Sequence, residues 1–149
     1  MCWARWNESV RVETIRMNRP NLRIEFRVIP ASEQRYATCG DWWQDSDGVW
    51  QFRVSRMGNL FYEILVLIHE LTEWAMCQVA GITVEEVDNF DIQFEKEREE
   101  GKHSPEAEPG DSPLAPYTHQ HRCATRVEML AAVMFGVDWD LYSKAVEKS

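Results

Sequence analysis

One stretch of this 149-residue chain sets polar side chains against their surroundings. Leu60-Phe-Tyr-Glu-Ile-Leu-Val-Leu-Ile-His-Glu-Leu-Thr-Glu-Trp-Ala-Met-Cys77 is apolar nearly all round a helix, so it belongs inside a domain. It nevertheless carries His69, Glu70 and Glu73. Two carboxylates and an imidazole are costly to bury unless they are paired, protonated or bound to a metal. A conflict of this kind between pattern and polarity marks a functional site. Positions 69 and 73 lie one helical turn apart, so both side chains point the same way and can hold one ion between them. Glu70 is turned about 100° round the helix, beside such an ion, where it can polarise a bound water.

His69-Glu70-Leu71-Thr72-Glu73 resembles the HExxH motif of the zincin metallopeptidases, with Glu in place of the second His. The resemblance implies that His69 and Glu73 bind zinc and that Glu70 is the general base. It also implies a small twisted sheet before this helix, with an edge strand near the metal, and a third ligand from a later helix. Glu is a legitimate zinc ligand, and a carboxylate also suits Mn or Fe. The candidates for the third ligand are His119, His121 and Glu128, which follow Pro116. On a helix, 119 and 121 point about 200° apart and cannot both face one site. Positions 121 and 128 share a face. His121 is preferred as the ligand, with Glu128 orienting an imidazole or serving as a fourth ligand. His119 and Tyr117 are then placed at the mouth, where they can contact a substrate oxyanion. A longer pattern resembles small phage and prophage proteins of unassigned function. It runs from this motif through Gly81-Ile82, Asp88-Asn-Phe-Asp91, Pro109-Gly-Asp111 and Ala115-Pro-Tyr117 to His121-x-x-Ala-Thr-x-x-Glu128. That likeness implies a host-cytoplasm setting.

The elements that must position these residues are legible. Leu22 to Ile29 alternates apolar and polar, the pattern of a strand with one buried face. Residues 36–44 and 48–55 flank Asp45-Ser46-Asp47-Gly48 and read as a hairpin. The first part, 1–57, is thus a small antiparallel sheet of three strands, or four if residues 9–16 join it. Residues 1–20 read as a strand or an arm. In the second part, 58–149, Asn59 caps a helix that stops at Gly81. Thr83 and Glu86 open a second helix that runs to about Glu100. Residues 101–116 hold four of the six prolines and read as a long loop, a lid or partly disordered. A third helix runs from Pro116 to Phe135, and Asp138 caps a short fourth. Sheet first and helices after define a single α+β domain over 1–149, zincin-like in arrangement.

The acidity belongs to the second part. Residues 1–57 carry nine arginines against seven acids, and residues 58–149 carry seven basic residues against 18 acids, so a net −9 divides into +2 and −11. A nucleic-acid partner is excluded as a general reading, because phosphate requires a basic surface. No signal peptide and no membrane span are expected. Cys2, Cys39, Cys77 and Cys123 are scattered, which fits reduced thiols in the cytoplasm. Cys77 and Cys123 are expected to face the core. Asp88 and Asp91 read as a solvated pair or as additional ligands, and His103 as a loop residue without a role. Trp42, Trp43 and Trp50 crowd the hairpin, and an exposed aromatic face there would form a partner or homo-oligomer surface. The leading expectation is a zinc-dependent metallohydrolase acting on peptide or amide bonds. The alternative is a non-catalytic acidic binding or inhibitory protein of phage type, with or without a structural metal.

Overall fold

The computed structural model describes residues 22–149. The readings for residues 1–20, the fourth strand over 9–16 and Cys2 lie outside the described residues. Among the described residues three strands, β1 (Ile24–Ile29), β2 (Gly40–Gln44) and β3 (Trp50–Ser55), precede four α-helices. The helices are α1 (Leu60–Ala80), α2 (Val84–Glu99), α3 (Thr118–Phe135) and α4 (Trp139–Val146). The arrangement is α+β.

Five of the helix boundaries have a local cause. Asn59 accepts the Phe61 N–H, and α1 ends where Gly81 turns left-handed at φ 74°. Thr83 and Glu86 exchange both bonds of a capping box at the start of α2. Gly136 closes α3 at φ 68°, and Asp138 caps α4 through the Leu141 N–H.

β2 and β3 form the expected antiparallel hairpin, with Trp42 opposite Phe52. Asp45 Oδ1 accepts the N–H groups of Asp47 and Val49 at 2.9 Å each and holds the turn. β1 departs from the antiparallel reading. The strand order is β1-β3-β2, and β1 runs parallel to β3, Phe26 beside Phe52 and Val28 beside Val54. Residues 30–39 carry the chain past the slot that β3 later fills. Gln34 pins this crossing by donating to Ser55 Oγ at 3.2 Å and to Cys39 O at 3.4 Å. A parallel neighbour requires such a crossover. α1 lies over β3 and β2, so the apolar face of β1 is also less covered than its alternation implies, and Ile24 and Phe26 are exposed.

The core has two parts. Trp42, Trp50, Phe52 and Trp74 form one, with Trp74 edge-on to Phe52 at 5.7 Å. Val54, Leu65, Val66, Ala132 and Tyr142 form the other, where α1 and α3 meet. Burying each large apolar side chain contributes roughly 1.5–3 kcal/mol. The hairpin tryptophans therefore do not form an exposed aromatic face: Trp42 and Trp50 are buried, and Trp43 is half-buried beneath the Arg35 guanidinium. Among the described residues no helix is long and apolar enough to cross a membrane.

Candidate metal centre

α1 and α3 run antiparallel, and their inner faces meet at the polar side chains. His69 and Glu73 face α3 from successive turns of α1. α3 returns His121 and Glu128, two turns apart. His69 Nε2 lies 3.1 Å from His121 Nδ1, His121 Nδ1 lies 3.0 Å from Glu73 Oε2, and His69 Nε2 lies 3.5 Å from Glu73 Oε2. With zinc–ligand bonds of 2.0–2.1 Å, the edge of a tetrahedral site is about 3.3 Å. The three atoms therefore stand at the spacing of three corners around one ion.

The surroundings hold each ligand in place. His69 Nδ1 donates to Glu128 Oε2 at 2.9 Å, which turns the Nε2 lone pair inward. Tyr142 of α4 donates to the other oxygen of Glu128. Trp42 Nε1 donates to Glu73 Oε1 at 3.2 Å and leaves Oε2 for the site. With His69 neutral, one proton, on His121 Nδ1, would have to serve both the His69 lone pair and the Glu73 oxygen. A divalent cation satisfies all three atoms, so the donor set fits a metal.

Charge points the same way. Against the cost of burial, hydrogen bonds from His121 and His69 hold the Glu73 carboxyl down at about 2. Burial opposes a charge on His69, but the carboxylates of Glu128 and Glu73 raise its affinity for a proton well above the ordinary imidazole value. The carboxylates thus favour a positive charge at this position, whether a proton or a cation.

Two glycines make room for these side chains. A Cβ at Gly110, in the 3₁₀ turn Pro109–Asp111, would fall 2.3 Å from His121 Cγ. A Cβ at Gly40 of β2 would fall 2.3 Å from Glu70 Oε1. Glu70 is half-buried and lines a cavity of about 760 Å³ together with His69, Glu73 and His121. Burial pushes its carboxyl well above the usual range, and the charge of Glu73 adds to this.

The sequence candidates divide accordingly. His69, Glu73 and His121 converge, Glu70 stands beside them, and Glu128 orients His69 rather than joining the inner set. His119 does not arrive at the mouth. It is exposed on the other face of α3, 3.9 Å from Cys123 Sγ, as the 200° separation from His121 requires. Cys123 accordingly sits half-buried on that outer side, not in the core. Cys77 is buried, and desolvation pushes its thiol up to about 12. Tyr117 lines the cavity, but its hydroxyl is engaged, donating to Asp91 Oδ1 at 2.5 Å.

Asp91 is the main surprise. It is buried in the cavity wall between Tyr117 and Tyr36, whose hydroxyl donates at 3.3 Å. Burial, partly offset by the Tyr117 hydrogen bond and reinforced by the charge of Glu73, brings its carboxyl to about 7. Asp88 remains nearer the surface, in a fork with Arg35 that also holds Asp41. Helical spacing alone does not separate the two aspartates. Tyr142 had no signal at all, since nothing local links α4 to Glu128. His103 stacks on Phe94 at 3.9 Å and bonds Glu97 at 3.0 Å. It thereby helps to fasten the 101–116 loop, which runs as a series of turns along the cavity.

The chain matches no family model, no curated protein and no solved structure.

Proposed function

We propose that this chain is a small zinc-dependent metallohydrolase acting on peptide or amide bonds, similar in its working parts to the zincins. The observation that carries the reading is the convergence of His69 Nε2, His121 Nδ1 and Glu73 Oε2 within 3.5 Å of one another, with Glu70 in the adjoining cavity. A zinc ion held by these three residues supplies Lewis acidity toward a carbonyl and toward water. Mn or Fe is the chemical alternative. Glu70 takes the proton of the attacking water and returns it to the leaving nitrogen. Its raised proton affinity suits both halves of that transfer. The carboxylate ligand lowers the electrophilicity of the ion relative to a three-histidine site, so turnover is expected to be slow. The free thiols of Cys39, Cys77 and Cys123 support a cytoplasmic setting, the host's if the chain is phage-encoded.

The test begins with metal analysis of the purified protein. One zinc per chain is expected, and its loss in His69→Ala. Glu70→Gln should keep the zinc and reduce hydrolysis of a peptide library by roughly 10²–10⁴-fold. A chain that takes up no transition metal, and is equally well folded with and without chelator, overturns the reading in favour of the acidic binding protein. A structural metal is the second reading, supported by the way the cluster ties α1 to α3 and, through Glu128, to α4. It predicts unfolding in chelator with no hydrolysis by the zinc form.

A further inference from the structure

The cavity beside the metal centre takes a second polar wall from α2 and the 101–116 loop. Asp91 lies in that wall, only 7% exposed. The ring of Tyr117 stands 6.2 Å from that of His121, and its hydroxyl donates to Asp91, so one tyrosine separates Asp91 from the metal centre. Both hydrogen bonds to this carboxyl, from Tyr117 and Tyr36, come from neutral hydroxyls. Among the described residues no cation pairs with it. Arg35 is engaged by Asp41 and Asp88, at 2.7 Å each. Arg98 is engaged by Glu95 and by the carbonyls of Pro105 and Ala107. Lys148 lines the cavity only from an exposed position, next to Glu147. Glu70, Glu106 and Glu108 line the same space without an ion pair among the described residues. A buried carboxyl without a countercharge is costly to ionise, and burial brings Asp91 to about 7.

We infer that this cavity selects peptides by a lysine or arginine beside the bond to be cut, with the side-chain stem along Tyr117 and Tyr36 and the cationic head at Asp91. The aromatic wall suits such a guest. A long basic side chain lays its methylenes on apolar surface while its head seeks a polar partner, and aromatic rings attract the cation itself. Size agrees: about 760 Å³ is the volume of a site that encloses a small ligand or a short peptide segment. A second metal ion is a poor alternative occupant, because Asp91 offers one carboxylate between two hydroxyls, and a divalent cation needs more ligands than that. Among the described residues His69, Glu73 and His121 are the one group that could hold an ion. An acidic peptide would meet like charge at Glu70, Glu106 and Glu108. Calling the guest a substrate rests on the hydrolase reading; its affinity for the cavity does not.

Equilibrium fluorescence anisotropy on the whole chain tests this with three dye-labelled peptides that differ at one residue, lysine, glutamine or glutamate. Mass spectrometry of the same samples reads whether the peptide is cut. The lysine peptide should bind about tenfold more tightly than the glutamine peptide, the increment of a charge-assisted hydrogen bond, and the glutamate peptide most weakly. Asp91→Asn should remove the preference for lysine and leave the metal content unchanged. Glu99→Gln deletes the same charge from the exposed end of α2 and should leave the preference intact. If circular dichroism shows Asp91→Asn to be unfolded, the double variant Glu106→Gln, Glu108→Gln decides in its place, since both positions are exposed in the loop, and it should lower the preference. Equal binding of the lysine and glutamine peptides overturns the inference. So does a preference that the deciding variant leaves intact, or that Glu99→Gln lowers as much. Lysine-selective binding without cleavage supports the inference and counts against the hydrolase reading alone. Cleavage without a preference for lysine does the reverse.

Discussion

At the scale of single residues, the site depends on where a Cβ is missing. His121 reaches Glu73 because Gly110 offers its ring a backbone without a side chain, and Glu70 lies against Gly40 for the same reason. The two positions separate binding from chemistry. Gly110→Ala should displace His121 and weaken zinc binding by at least tenfold, read by competition with a chromophoric chelator. Gly40→Ala should leave zinc binding near wild type and lower peptide hydrolysis, because it moves the base and none of the ligands. Equal loss of zinc in both variants would count against separate roles. Residue types alone singled out His69, Glu70, Glu73, His121 and Glu128. They did not reveal that Trp42 and Tyr142 hold Glu73 and Glu128, since those hydrogen bonds span 31 and 14 residues.

At the scale of elements, local chemistry sets both ends of α1, the starts of α2 and α4 and the end of α3. The Thr83–Glu86 capping box fits α2 to the turn after α1, and through it positions Asp91 beside Tyr117. Thr83→Ala should cost about 1 kcal/mol of stability in urea denaturation. A loss within error would mean that packing alone holds this helix start. The helices were readable because caps, apolar spacing and left-handed glycines act within a few residues. β1 was readable as a strand but not in its pairing. Alternation says that a strand has two faces, and it does not say which neighbour supplies the hydrogen bonds. That choice was made by the crossing through residues 30–39 and by Gln34 at its end.

At the scale of the whole molecule, the buried acids link folding to pH. Asp91 is the clearest case outside the metal cluster, with its carboxyl brought to about 7 by burial. A carboxyl whose folded value lies above its unfolded one keeps a proton that the unfolded chain has released. Its contribution is therefore fully present below about pH 4 and is lost as the pH rises to about 7 and beyond. The full swing is on the order of 4 kcal/mol. Metal-free protein should become less stable from pH 4 to pH 8, and Asp91→Asn should flatten that fall, as measured by urea unfolding at a series of pH values. An unchanged slope would show that other groups carry the dependence.

The sequence by itself determined the α+β order, the helix ends and the one stretch where charge meets an apolar helix. These depend on neighbours within one or two turns, where spacing converts directly into direction. Tertiary structure alone decided which residues meet. It brought α3 to α1 in antiparallel contact, so that His121 arrived and His119 did not. It buried Asp91 while leaving Asp88 nearer the surface, and it closed Trp42 and Trp50 of the hairpin into the core. Among the described residues it also left Phe61, Leu71 and Val79 of α1 exposed, although composition marks that helix for burial. The reason is common to all of these. A helix face is a local property, but what covers it depends on the packing of segments far apart in the chain.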